Sequence, residues 1–93
     1  MKIMKTLDYS SRYRKDRRLA ISQGRDMCLL DTVIDLLLTE QSVQAYGDHE
    51  LEGNWLSYRE LHIKPDWLLV YAYSADNSTI KLARTGSHSH IFG

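Results

Sequence analysis

The chain of 93 residues has one cysteine, one proline and one phenylalanine, and its 12 lysines and arginines are matched by 12 aspartates and glutamates. A single cysteine excludes a disulfide scaffold. Cys28 sits among Met27, Leu29 and Leu30 and is expected to be a buried, inert thiol, since a reactive thiolate needs electropositive, partly open surroundings. The longest apolar run, Trp67 to Tyr73, falls far short of the roughly 20 residues of a membrane span. The N-terminus lacks the apolar core of a signal peptide, so a cytoplasmic location without a membrane partner is expected. A phosphate-cradling glycine loop, a Ser-His-Asp order, internal repeats and low-complexity linkers are all missing. With 43% hydrophobic and 26% charged residues the composition is that of an ordinary globular protein. The length suits one domain, residues 1–93, with a modest core between two layers.

The zero net charge conceals an asymmetry. Met1 to Arg25 carries eight basic and two acidic residues, a net of +6, whereas Asp26 to Gly93 carries four basic and ten acidic, a net of −6. Such a split points to an acidic or nucleic-acid partner at the basic end. Most of that charge lies in one segment, with Arg12, Arg14, Lys15, Arg17 and Arg18 covering much of a helix. These residues are either solvated surface partly paired with Asp31 and Asp35, or a phosphate-binding face.

Periodicity gives the elements. Ile3 to Tyr9 alternates as a short strand, and Ser10 or Ser11 can cap a first helix that runs to about Gln23 and stops at Gly24. Apolar positions on this helix are few, namely Tyr13, Leu19, Ala20 and Ile21. A second helix, Asp26 to about Glu40, places Met27, Leu30, Ile34, Leu37 and Leu38 on a buried face. Beyond the loop at Ala45 to Gly47 the period changes to two: a short strand from Leu51 to Gly53, then Ser57 to Ile63, Trp67 to Tyr73 and Thr79 to Arg84. Pro65 and Asp66 make the turn between the second and third of these strands. The pattern predicts an α+β fold: an N-terminal strand and a helical hairpin packed on a mainly antiparallel sheet of four to five strands. Strand order stays open.

The chemistry-bearing residues gather in the second half: His49, His62, His88 and His90, with Asp66 and Arg84. Imidazole exchanges a proton near neutrality, so this set suits acid/base work. Cleavage of RNA by its own 2′-oxygen needs a base, an acid for the leaving 5′-oxygen and a cation for the developing charge, and His, Asp and Arg fill those roles without a metal. His62 and Asp66 can stand together at one rim of the sheet, and His88 can return over the same rim if strand order permits. Duller readings exist for each: Asp66 as a turn residue, His62 as an exposed strand residue, and Arg84 closing a salt bridge with Glu60. His88 and His90 could instead chelate a transition metal with His49 or His62, although no cysteine pair or His-Glu motif accompanies them. Trp55, Tyr58, Trp67 and Tyr71 read as packing residues, whereas Phe92, near the C-terminus, could stack on a base.

Taken together, the run His49 to Trp55, then Tyr58-Arg59-Glu60 through His62, Pro65-Asp66-Trp67 and Tyr71, then Arg84-Thr-Gly86-Ser-His88 and Ile91-Phe92 closely resembles the YafQ branch of the RelE superfamily of bacterial type II toxins. Tyr9-Ser10 and Tyr13 with Lys15-Asp16 extend the likeness over nearly the whole chain. The resemblance implies a RelE-like fold and a ribosome-dependent endoribonuclease that cuts messenger RNA in the decoding site without a metal or other cofactor. It also implies a cognate antitoxin, ribbon-helix-helix-like and of the DinJ/RelB type, with operator DNA reached only through the antitoxin complex. In such toxins the positions matching His49, His62, Asp66, His88 and Phe92 form the active site, and the arginine matching Arg84 steadies the scissile phosphate. By that analogy His88 and Asp66 transfer protons, His49 and His62 position the substrate and stabilise charge, and Phe92, with Trp67, contacts the base. Which group is the acid and which the base stays open. The basic first helix then docks on ribosomal RNA through phosphate contacts. Ser57 stands where relatives often have glycine, Ser87 replaces a common threonine, and residue 90 is not a motif position. The alternative to an enzyme is a catalytically inactive RelE-like module that binds an antitoxin or RNA.

Overall fold

The computed structural model describes residues 4–93, so Ile3, expected at the head of the first strand, lies outside the described residues. Strand β1 (Thr6–Tyr9) precedes helices α1 (Ser11–Ser22) and α2 (Met27–Leu38). A 3-10 turn at Gln44–Tyr46, the short strand β2 (His49–Glu50) and a second such turn at Gly53–Trp55 follow. Strands β3 (Arg59–Lys64), β4 (Trp67–Tyr73) and β5 (Thr79–Gly86) complete the sheet, and a short helix α3 (His88–Phe92) ends the chain. The expected α+β plan is present, with shifted bounds in the second half. The first short strand opens at His49 rather than Leu51, the last strand extends to Gly86, and α3 had no counterpart in the periodicity.

The sheet order is β1-β5-β4-β3-β2. β1 runs parallel to β5, as a helical crossover requires, and the other pairs are antiparallel. Ser10 caps α1 by accepting from the Tyr13 amide at 2.9 Å, and its hydroxyl donates to the Ala83 carbonyl at 2.7 Å, so the cap also fastens the helix to β5. Gly24 ends the hairpin's first arm at φ +75°, the left-handed position anticipated for it.

Only Tyr13, Asp16 and Ala20 of α1 are buried; Leu19 and Ile21 stay 40% and 48% exposed. The buried line of α2 is Leu30, Val33 and Leu37, with Met27, Ile34 and Leu38 at its edge. Cys28 is exposed, contrary to expectation. It lies two residues from Leu30, roughly 200° around the helix, which turns it away from the core.

β4 is buried on both faces. Leu69 and Tyr71 join Leu61, Ile63, Ile80 and Leu82 under the helical hairpin. Leu68 and Val70 pack with Ala83 and Ile91 on the opposite face, beneath α3. Burial of each such side chain contributes about 1.5–3 kcal/mol. The second face also carries Glu60 and His62.

Candidate active site

Strand register assembles the first part of the site. His49 pairs with Glu60 across β2 and β3, and His62 pairs with Leu68 across β3 and β4. Residues directly opposite share a face, so Glu60 and His62 stand on the α3 side with Leu68 and Val70. Glu60 is 4% exposed and its Oε1 lies 2.8 Å from His49 Nε2 and 3.9 Å from His62 Nε2. Its other oxygen, Oε2, is buried without a hydrogen-bond partner. The second ring nitrogen of His49, Nδ1, is 3.0 Å from the Glu50 carbonyl. A carbonyl and a carboxylate only accept, so both partners are satisfied only by the imidazolium. The hydrogen bond to Glu50 and the charge of Glu60 outweigh a burial penalty and raise the pKa of His49 above its ordinary 6.5.

The Pro65-Asp66 turn carries the arrangement to the rim of the sheet. His62 Nδ1 makes a long 3.4 Å contact with the Pro65 carbonyl, and Asp66 Oδ1 accepts from the His88 amide at 3.0 Å. His88 and Phe92, four residues apart, share one side of α3 with ring centroids 5.1 Å apart. Phe92 meets Trp55 edge-on at 5.9 Å, and Trp55 meets Tyr58 at 5.3 Å. Local contacts therefore lead from His49 through Glu60, His62 and the Asp66 turn to His88 and Phe92. Such an arrangement holds cationic or protonatable groups beside an aromatic face.

Two expected participants are placed differently. Arg84 is not a free cation at the rim: it is 6% exposed, and its Nε and Nη2 donate to Asp16 of α1 at 2.7 and 3.2 Å. Nor does it pair with Glu60, which is engaged with the histidines. Trp67 is 1% exposed, packs in the core under the helices and donates from Nε1 to Thr85 Oγ1 at 3.0 Å. The Arg25 guanidinium lies over its ring at 5.2 Å, so Trp67 is a packing residue in this arrangement. Arg12, Arg14, Lys15, Arg17 and Arg18 are all exposed. Among the described residues none of the five closes an ion pair, so of the two readings left open the pairing with Asp31 and Asp35 is not made. Arg14 lies over the Tyr9 ring at 5.5 Å.

His90 does not join His88 around a metal. It faces the other way, with Nε2 2.9 Å from Asp16 Oδ1. Among the described residues the group able to hold a cation is His49, Glu60 and His62, whose ligand atoms lie within 4.8 Å of one another. Two imidazoles and a carboxylate suit a divalent transition ion such as zinc or copper. Sequence reasoning missed Glu60 and Asp16 as members of these clusters. Glu60 carried only its alternation on β3, which puts it on the face of His62, and Asp16 carried no signal of a partner 68 residues away.

Comparison with known proteins shows the family. Residues 5–93 match a family model described as bacterial toxin of type II toxin-antitoxin system, YafQ. The chain is 37% identical over 93 residues to the mRNA interferase toxin YafQ of Escherichia coli strain K12, covering 98% of this chain and 99% of that one. Its fold superimposes on the toxin in the crystal structure of the E. coli DinJ-YafQ toxin-antitoxin complex with a TM-score of 0.85, at 35% identity, covering 96% of this chain and 98% of that one. A metal-bound toxin from Helicobacter pylori gives a TM-score of 0.88 at 41% identity, covering 96% of this chain and all of the other. The residue pattern, the RelE-like fold and these likenesses agree: the chain belongs to the YafQ family of toxins from bacterial type II toxin-antitoxin systems.

Proposed function

We propose that this protein is a ribosome-dependent endoribonuclease that cuts translated messenger RNA by metal-independent acid/base catalysis and so stops translation in the cytoplasm. The observation that carries the reading is the path from His49 to Phe92, in which a histidine with an acceptor at each ring nitrogen stands with two further imidazoles, a carboxylate and an aromatic ring. In the reaction the 2′-oxygen loses its proton and attacks the adjacent phosphorus, and the P–O5′ bond breaks as the 5′-oxygen gains a proton. The products are a 2′,3′-cyclic phosphate and a 5′-hydroxyl end. His88 and Asp66 carry the two protons, and the His49 imidazolium, backed by buried Glu60 and accompanied by His62, faces the charge that develops on the phosphate. Phe92 stacks on a base beside the cut. Arg84 supports the site through its pair with Asp16. The nucleophile belongs to the RNA itself, so no metal is required to generate it.

The exposed arginines of α1 hold the toxin on ribosomal RNA by phosphate contacts. A cognate antitoxin of the ribbon-helix-helix type silences it, as the E. coli relative is found with DinJ, and the toxin reaches operator DNA only in that complex. A transition ion at His49, Glu60 and His62, suggested by the metal-bound H. pylori relative, would tie up the groups assigned to charge stabilisation.

The test is to map cut sites on messages in a translating extract, with the protein and with His88→Ala. Discrete cuts are expected with the first and a rate lower by roughly 10²–10⁴-fold with the second, the range for loss of a general acid or base. A chelator selective for zinc and copper, which leaves ribosomal magnesium in place, should leave the rate unchanged. Equal cutting by His88→Ala refutes the assignment, and tight RNA or antitoxin binding without cuts favours an inactive binding module.

A further inference from the structure

His90 is not a member of the path just described, yet it ties α3 to the body of the protein. A five-residue helix is far below the roughly 12–15 residues at which isolated helices become marginally stable, so α3 depends on its tertiary contacts. Ile91 is buried beneath it. Asp66 grips its first turn through the His88 amide at 3.0 Å. On its other side, His90 reaches Asp16 of α1, across 74 residues of chain.

Asp16 is a well-defined partner. Burial opposes its charge, but hydrogen bonds from Arg84, His90 and the Thr85 amide hold its pKa below the ordinary 3.8. It therefore only accepts, and the hydrogen between the two residues belongs to His90 Nε2. The room for this ring comes from Gly86. At φ +147°, a Cβ there would lie 2.8 Å from His90 Cδ2, tighter than real contacts allow.

We propose that His90 is a positioning residue for the cleavage reaction: with Asp66 as the first pin on α3 and the His90 to Asp16 bond as the second, the helix cannot swivel, and the His88 imidazole and Phe92 ring keep their places. The inference rests on the nuclease reading. Burial of Ile91 and the Phe92 to Trp55 contact also hold the helix, and the His90 to Asp16 bond ties it to α1.

The experiment compares His90→Ala and His90→Gln with the parent protein, since glutamine can still donate to Asp16. Three quantities are measured: kcat and KM for message cleavage on programmed ribosomes, amide hydrogen exchange across residues 88–92, and the melting temperature. For His90→Ala a fall in kcat of about tenfold is expected, less than the roughly 10²-fold attached to a 1 Å misplacement, with KM unchanged. Exchange in α3 should accelerate while that in β4 does not, and glutamine should restore both kcat and exchange. Unchanged α3 exchange or unchanged kcat in His90→Ala overturns the proposal. So does a loss of kcat that follows the melting temperature and is not rescued by glutamine. Absence of cutting by the parent protein would defeat the nuclease reading instead, and the exchange data would still decide whether the pin exists.

Discussion

Replacing Asp16 by asparagine should strike the protein harder than any surface change. The carboxylate receives Arg84 Nε at 2.7 Å, Arg84 Nη2 at 3.2 Å, the Thr85 amide at 3.1 Å and His90 Nε2 at 2.9 Å. Asparagine keeps the shape but removes the charge and half of the accepting capacity, leaving the Arg84 guanidinium buried against a neutral group. Breaking a buried pair from one side costs about 3–5 kcal/mol, and the pair here is only 8% and 5% exposed on its two sides. The His90 edge is 37% exposed, so water can partly replace the lost contact and the low end applies, about 3 kcal/mol. At roughly 4–8 °C per kcal/mol for a domain of this size, the melting temperature should drop by about 12–24 °C. Urea unfolding followed by circular dichroism would give the free energy, with an unchanged slope confirming that only stability moved. Arg84→Met added to Asp16→Asn should recover part of the loss, because the orphan charge goes with it. The pH dependence has a definite sign: the folded pKa is depressed, so the contribution is complete above the ordinary 3.8 and is lost as pH falls through the lower folded value. A loss under about 1 kcal/mol, the range of exposed ion pairs, would refute the argument that this carboxylate is a buried anchor.

Three further outcomes follow from the same contacts. Glu60→Gln should lower the His49 pKa, seen by NMR titration of the ring; in the parent protein the raised pKa means that the stabilising contribution of His49 is complete below 6.5 and fades as pH rises through the folded value. An unshifted His49 in the variant would show that Glu60 does not set it. With Trp55 replaced by phenylalanine, the emission of Trp67 should be blue-shifted and resistant to acrylamide; ready quenching would return Trp67 to the surface and to candidacy as a base contact. Ser57 adopts φ +77°, a conformation natural to glycine, so Ser57→Gly should gain about 0.5–1 kcal/mol in urea unfolding, and a loss there would mean the hydroxyl makes a compensating bond.

Much of the fold can be read along the chain because its signals are local. Ser10 caps α1, Gly24 ends it, the Pro65-Asp66 turn joins β3 to β4, and Trp67 to Tyr73 marks β4 by its unbroken apolar run. The buried face of α2 is legible too, though rotated toward Val33, since periodicity fixes a face only to within about a residue. Short elements escape such reading. β2 has two residues and α3 has five, lengths at which cross-strand pairing and burial override any pattern. Cys28 shows the converse error: apolar neighbours in sequence do not make a buried position, because adjacent helical residues point in different directions.

By itself the sequence determined which proton carriers exist, that the first helix is basic and that an α+β layer plan holds the chain, since composition, capping and period are properties of contiguous residues. Only the tertiary structure decided how those groups are divided. Register across β2 and β3 put buried Glu60 between two imidazoles, and docking of α1 on β5 took Arg84 from the rim and gave it to Asp16. Both decisions turn on contacts between distant segments, where the energy of burying a charge is met by a partner that no local pattern announces.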